Sequence, residues 1–144
     1  DYISSLDHLN DFKHFKPQNL SNIVWAYATA GISHPELFDK VGNHIVTLDH
    51  MNDFKPQNLS NIVWAYAKAD ASHPNLFENV GHHIFSLNHL NDFEPQHLSN
   101  TVWAYATAGV SHPDLFNKLG EACAISLSGI SDKDLFIGSL GMPL

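Results

Sequence analysis

Arginine is absent from this 144-residue sequence, cysteine occurs once, and no apolar run is long enough to span a membrane. Each absence narrows the field. Without arginine, seven lysines face fifteen acidic residues and the formal net charge is −8. Little remains of the phosphate neutralisation that drives non-specific nucleic-acid binding. The lone Cys123 excludes an internal disulfide and a cysteine-rich zinc module. With no stretch of about 18 apolar residues there is no transmembrane helix, and no membrane insertion is expected. The chain opens on Asp1 with neither an initiator Met nor a charged-then-apolar leader, which points to a processed or excerpted piece. Catalytic signatures are missing too: no Gly-x-x-x-x-Gly-Lys-Ser/Thr phosphate loop, no His-Glu-x-x-His, no Gly-x-Ser-x-Gly elbow. No catalytic residue, cofactor or metal site is expected.

Histidine, by contrast, is abundant. Eleven imidazoles on a −8 chain would bring the net charge to −8 + 11 = +3 if all were protonated, so mild acid should alter the charge strongly.

The sequence also repeats. Pro17, Pro56 and Pro95 are spaced by 39, as are Trp25, Trp64 and Trp103, and Ser33, Ser72 and Ser111. Between Pro17–Lys55 and Pro56–Glu94, 27 of 39 positions are identical. The chain therefore divides into the end of a preceding repeat (1–14), three repeats (15–53, 54–92 and 93–130) and a degenerate partial repeat (131–144). Repeats of this length cannot bury both faces alone and must stack.

Each repeat reads as two helices. Helix A begins at the proline of Lys-Pro-Gln-Asn-Leu, a residue that loses nothing at the first helical position, and runs from Pro17 to Ala30 in the first copy. Phe15 and Leu20, Phe54 and Leu59, and Phe93 and Leu98 stand at hydrophobic-staple spacing. Gly31 and Gly109 supply a left-handed stop, and Asp70 in the second copy should be slightly strained there. Helix B is predicted to start from a capping box, Ser33-His-Pro-Glu36, with Ser111-His-Pro-Asp114 close to it. Gly42, Gly81 and Gly120 fall inside helix B at a cost of about 1 kcal/mol each relative to Ala, and the expected return is close approach of a neighbouring helix. The pattern predicts an all-α chain, a right-handed α-solenoid of stacked helix–turn–helix repeats with period 39.

Helix A is apolar around almost its whole circumference. The exception is a thin strip of Gln18, Asn22 and Thr29 with Trp25 at its edge, matched by Gln57, Asn61 and Lys68 and by Gln96, Asn100 and Thr107. Helix B keeps a broader polar face, including Asp39, Lys40 and Asn43, and fits an outer layer.

The stretches Pro17–Ala28 and Pro56–Ala67 (Pro-Gln-Asn-Leu-Ser-Asn-Ile-Val-Trp-Ala-Tyr-Ala) and Pro95–Ala106 resemble the octotricopeptide repeat, with its Leu-x-Asn-x-x-Trp-Ala-x-Ala core. Related repeats accompany FAST-kinase-like and RAP-domain proteins. The resemblance covers nearly all of the chain. It implies non-catalytic binding of single-stranded RNA or ribosomal RNA in a chloroplast or mitochondrion, supporting transcript stability, processing or translation, with each unit meeting about one base.

Within that reading the nine strip residues are the candidate RNA-binding set. Asn22, Asn61 and Asn100 could pair with base edges, and Thr29, Lys68 and Thr107 vary between units; alternatively the asparagines bridge adjacent repeats in an amide ladder. The tryptophans could stack on bases, but a Trp at fixed repeat spacing more often belongs to the inter-repeat core. Lys16 and Lys55 stand where a phosphate would meet a helix N-terminus, with Glu94 in the third copy. His34, His73 and His112 are in register, but equivalent positions lie about 10 Å apart by helix packing, too open for shared zinc bonds near 2 Å. Cys123 replaces Ile45 and Ile84 on an apolar face, and burial is expected. A second reading, favoured by the acidic balance, is a scaffold or structural subunit that binds other proteins of an organellar complex.

Overall fold

The computed structural model describes residues 14–129, and every regular element among them is a helix. In chain order these are α1 (Pro17–Ala30), α2 (Pro35–Val46), α3 (Pro56–Lys68), α4 (Pro74–Ser86), α5 (Pro95–Ala108) and α6 (Pro113–Ser128). The all-α class expected from the sequence is observed. Nearly all of segment 1–14, and the partial repeat at 131–144, lie outside the described residues. Helix α3 packs between α1 and α5, while α4 touches both α2 and α6. The A-type helices thus pack on one another, as do the B-type helices, with the core between them.

Helix ends follow local chemistry. Every helix has proline in its first turn, where a missing N–H costs nothing. Gly31 and Gly109 close α1 and α5 in the left-handed region, both at φ 70°. After α3 that conformation falls to Asp70, at φ 54°, the only non-glycine residue described with positive φ. A side chain there costs roughly 1–2 kcal/mol, and Asp tolerates it better than most.

The starts of the helices were less legible. At helix A, the third helical residue reaches back: Asn19 Oδ1 accepts from the Lys16 N–H at 2.9 Å, Asn58 Oδ1 from Lys55 at 2.9 Å, and His97 Nδ1 from Glu94 at 3.0 Å. At helix B the expected serine box is not formed. The cap is the next residue, histidine: Nδ1 of His34, His73 and His112 accepts from the N–H of Leu37, Leu76 and Leu115 at 3.2, 3.2 and 3.3 Å. An imidazole in the cap position presents a ring nitrogen to the same orphan donor that a serine oxygen would take.

One joint recurs between consecutive repeats. The Tyr66 hydroxyl donates to the Phe38 carbonyl of α2 at 2.5 Å, and its ring meets Phe38 edge-on at 4.9 Å. Tyr105 does the same to Phe77 of α4, at 2.5 and 5.0 Å. Both phenols are buried, and burial raises their pKa far above the ordinary value, with the Gly42 and Gly81 backbones pulling the other way. They act as neutral donors. The imidazole beside each Tyr then fills the space of a missing side chain. A Cβ on Gly42 would stand 2.4 Å from His73 Cδ2, and one on Gly81 would stand 2.9 Å from His112 Cδ2 and 3.0 Å from the Tyr105 hydroxyl. The close approach expected at these glycines is real, but what approaches is an imidazole and a phenol, not a helix backbone. His73 is pinned at both nitrogens. With Nδ1 accepting from Leu76, Nε2 carries the proton and donates to Asn43 Oδ1 at 2.9 Å.

Lys118 adds a second tie between B helices. Its ammonium lies over the Phe85 ring and donates to the Phe85 carbonyl at 2.8 Å and to the Leu87 carbonyl, closing the C-terminal end of α4.

The glycines supply a direct test. At Gly42 an added methyl collides with a pinned imidazole, so Gly42→Ala should lose about 1–3 kcal/mol to overpacking, more than the roughly 1 kcal/mol of helix propensity it gains. At Gly120 no described atom lies within 4 Å of the Cβ position, so Gly120→Ala should be stabilising in dilute solution. Urea unfolding of both variants checks this; equal shifts would contradict the joint.

Candidate nucleic-acid interface

Helix α3, enclosed by neighbours on both sides, shows which face of helix A is left over. Gln57 and Lys68 are exposed, Asn61 and Trp64 half-buried, and apart from the half-buried Pro56 every other residue of the helix is buried. These four residues stand at positions i, i+4, i+7 and i+11, one line along the helix. The same line on α1 holds Gln18, Asn22 and Thr29, all exposed; on α5 it holds Gln96 and Thr107, exposed, and Asn100, half-buried. All nine sequence-predicted residues therefore reach the surface. Packing of α1, α3 and α5 sets their three lines side by side.

The three tryptophans differ in burial. Trp25 and Trp103 are each 43% exposed, and Trp64 is only partly buried against the core. Trp64 and Trp103 have ring centroids 6.4 Å apart and tilted by 36°. Trp64, on the helix enclosed on both sides, thus packs partly against the core and meets Trp103 of the next repeat, while Trp25 and Trp103, on the outermost described A helices, are exposed.

The amide ladder also falls elsewhere. Among the described residues no hydrogen bond joins Asn22, Asn61 and Asn100. The amide that crosses between helices is Asn58, whose Nδ2 donates to Ser21 Oγ at 3.3 Å, while Ser21 donates to the Gln18 carbonyl at 3.1 Å. That leaves the strip asparagines available. Sequence reasoning missed Asn58; its place three residues after Lys55 and just past a proline was the available signal.

The electrostatics of this surface differ from the chain average. No Asp or Glu occurs in α1, α3 or α5, and Lys68 is the one formal charge on the three lines. Lys16 and Lys55 are exposed at the N-terminal ends of α1 and α3, with Glu94 exposed at that of α5. The other described acids are Glu36, Asp39, Glu78, Asp114 and Glu121 on B helices, Asp49, Asp53 and Asp92 in the loops leading to helix A, and Asp70, exposed just past the end of α3.

A second feature lies at those loops. A cleft of about 330 Å³ is lined by Asn52, Phe54, His83, Asn88, His89 and Asp92 among others. Desolvation lowers the His83 pKa below its ordinary 6.5, and the neighbouring His50 and His82 add to the effect. No three His, Cys, Asp or Glu side chains among the described residues gather into an arrangement that could hold a metal. Cys123 is half-buried and not enclosed as Ile45 and Ile84 are, since no described element covers the far side of α6.

The chain matches no protein-family model, and no curated protein is significantly similar to it.

The depressed His83 pKa fixes the sign of a pH effect. Its neutral form is favoured in the folded state, so its contribution is complete above pH 6.5 and is lost as pH falls through the lower folded-state value. Thermal stability should drop on acidification from neutral pH, and His83→Ala, the residue found at the equivalent position Ala122, should flatten that drop. An unchanged pH slope in the variant would contradict it.

Proposed function

We propose that the chain is a right-handed α-solenoid of 39-residue repeats, akin to octotricopeptide repeats, that binds single-stranded RNA without catalysis along the outward strip of its A helices. The observation that carries this reading is the chemistry of the strip: amides, hydroxyls, one lysine, and two exposed indoles with a half-buried one between them, with no acid on α1, α3 or α5. Unstacked bases meet aromatic faces at about 1–3 kcal/mol each, and Asn and Gln amides complement base edges. The described carboxylates lie outside α1, α3 and α5, although Glu94 and Asp70 border α5 and α3. Resemblance of the repeat to the organellar family supports a chloroplast or mitochondrion as the setting, and a transcript or ribosomal RNA as the target.

A second reading has its own support. The acidic residues of the B helices and loops suit a basic protein partner, as in a scaffold or subunit of a larger organellar complex. The two readings use different residues.

Fluorescence anisotropy with single-stranded RNA pools separates them. Binding should fall only gently between about 50 and 200 mM salt, because the strip offers few phosphate contacts. Trp103→Ala, at an exposed site, should weaken it about tenfold, as loss of one stacked base would. No binding to any pool at low salt, or wild-type affinity in Trp103→Ala, would contradict the proposal.

A further inference from the structure

The joint between the second and third repeats leaves a small cavity of about 180 Å³ where helix A turns into helix B. We propose that it receives an arginine side chain of a basic partner peptide, held by the Asp70 carboxylate and the last carbonyls of α5. The inference rests on the protein-partner reading and gives that partner a contact residue.

Asp70 carries the first part of the argument. It stands where the other two repeats place Gly31 and Gly109, in the left-handed region at φ 54°. The turn asks nothing of a side chain. The Asp70 N–H donates to the Ala67 carbonyl at 3.2 Å and that of Ala71 to Tyr66 at 2.9 Å, the same pair of bonds that closes both glycine turns. Glycine would adopt this conformation without strain. The Asp70 carboxylate meets no donor among the described residues, not even the exposed Lys68 two positions before it. A residue held in a strained conformation, with a side chain its own turn does not use, points to a role beyond the turn.

The opposite wall is the end of α5, formed by Thr107 and Ala108. Both are exposed, and their carbonyls accept no hydrogen bond among the described residues. A helix C-terminus carries roughly half a negative charge, so this wall and Asp70 share one sign. Phe77, Ala71 and Val110 line the cavity with apolar surface. His73, also in the lining, brings no free ring nitrogen, since Nδ1 accepts from Leu76 and Nε2 donates to Asn43. Both walls belong to repeats that are described and packed on each other.

The equivalent corner one repeat earlier has the opposite chemistry. Gly31 stands for Asp70 there, and Lys68 stands for Thr107. The repeat therefore folds without an acid at this place, and the acid occurs at the corner that lacks the lysine. Size narrows the occupant further. Sites for whole small molecules run to about 300–1,000 Å³, whereas about 180 Å³ suits the end of one side chain. Acceptors on two walls beside an apolar lining match a guanidinium, a weakly hydrated planar fork of donors on an apolar stem; a lysine ammonium is a strongly hydrated point charge.

Titration of the 144-residue chain with acetylated, amidated Gly-Arg-Gly, followed by amide NMR shifts, tests this against the lysine peptide and the uncharged citrulline peptide. The arginine peptide should give saturable shifts concentrated at 70–73 and 107–110, the lysine peptide weaker ones, and the citrulline peptide none. Asp70→Gly restores the residue of the other repeats and relieves strain, so it keeps the fold; Asp70→Asn removes the charge alone. Thr107→Lys copies the earlier corner. Each should weaken arginine binding by about tenfold or more, the scale of one lost charge-assisted hydrogen bond. Unchanged affinity in Asp70→Gly overturns the proposal, as does citrulline or lysine that binds as well as arginine. If only amides of the B helices and the loops leading to helix A respond, the cavity is overturned and the protein-partner reading stands; if none respond, both fall.

Discussion

The packing of this chain depends on one buried hydrogen bond made twice: a tyrosine hydroxyl given to a helix carbonyl one repeat earlier, beside a glycine that leaves room for a histidine. A buried phenol without a partner would cost about 1–3 kcal/mol, so each bond admits essentially one register between successive helix pairs. The histidine serves both sides. Its Nδ1 starts its own B helix while its ring lies against the glycine of the helix before. Local capping and long-range packing are thereby tied to one side chain, and neither can be optimised without the other.

That register has a consequence on the opposite face. Because α1, α3 and α5 are set side by side, residues at equal places in each repeat form rows: glutamines, asparagines, tryptophans, and a variable Thr or Lys. Charge is unevenly placed. The indoles all stand on A helices, and the described carboxylates all stand off them, on the B helices and in the segments that flank helix A. A chain average of −8 conceals this, and it is why net charge alone is a poor guide to what such a surface can bind. The RNA reading rests on the row of amides and indoles; the protein-partner reading rests on the acidic side.

Much of the fold was legible because its signals are local. Proline before a helical pattern and glycine after it placed α1 at Pro17–Ala30, and the same logic marked Asp70 as left-handed. The strip was legible because an almost wholly apolar helix leaves little choice about which face meets water. Errors arose where sequence distance was large or two caps competed. Ser33 and His34 both offer an acceptor, and only the backbone conformation, at φ −146° and ψ 75° for His34, selects the imidazole. Nothing in Trp-Ala-Tyr-Ala says that the tyrosine is enclosed and the tryptophan is not. That depends on which side of helix A the preceding repeat occupies, a fact settled by the tyrosine–carbonyl bond 28 residues away.

The central functional claim is that RNA lies on the strip, in contact with its indoles. Intrinsic tryptophan fluorescence reads that contact directly, since the chain's three tryptophans all stand on this line. Titration with single-stranded RNA should quench their emission in proportion to occupancy measured independently by anisotropy. RNA that binds while the emission stays unchanged would place the contact elsewhere and contradict the account.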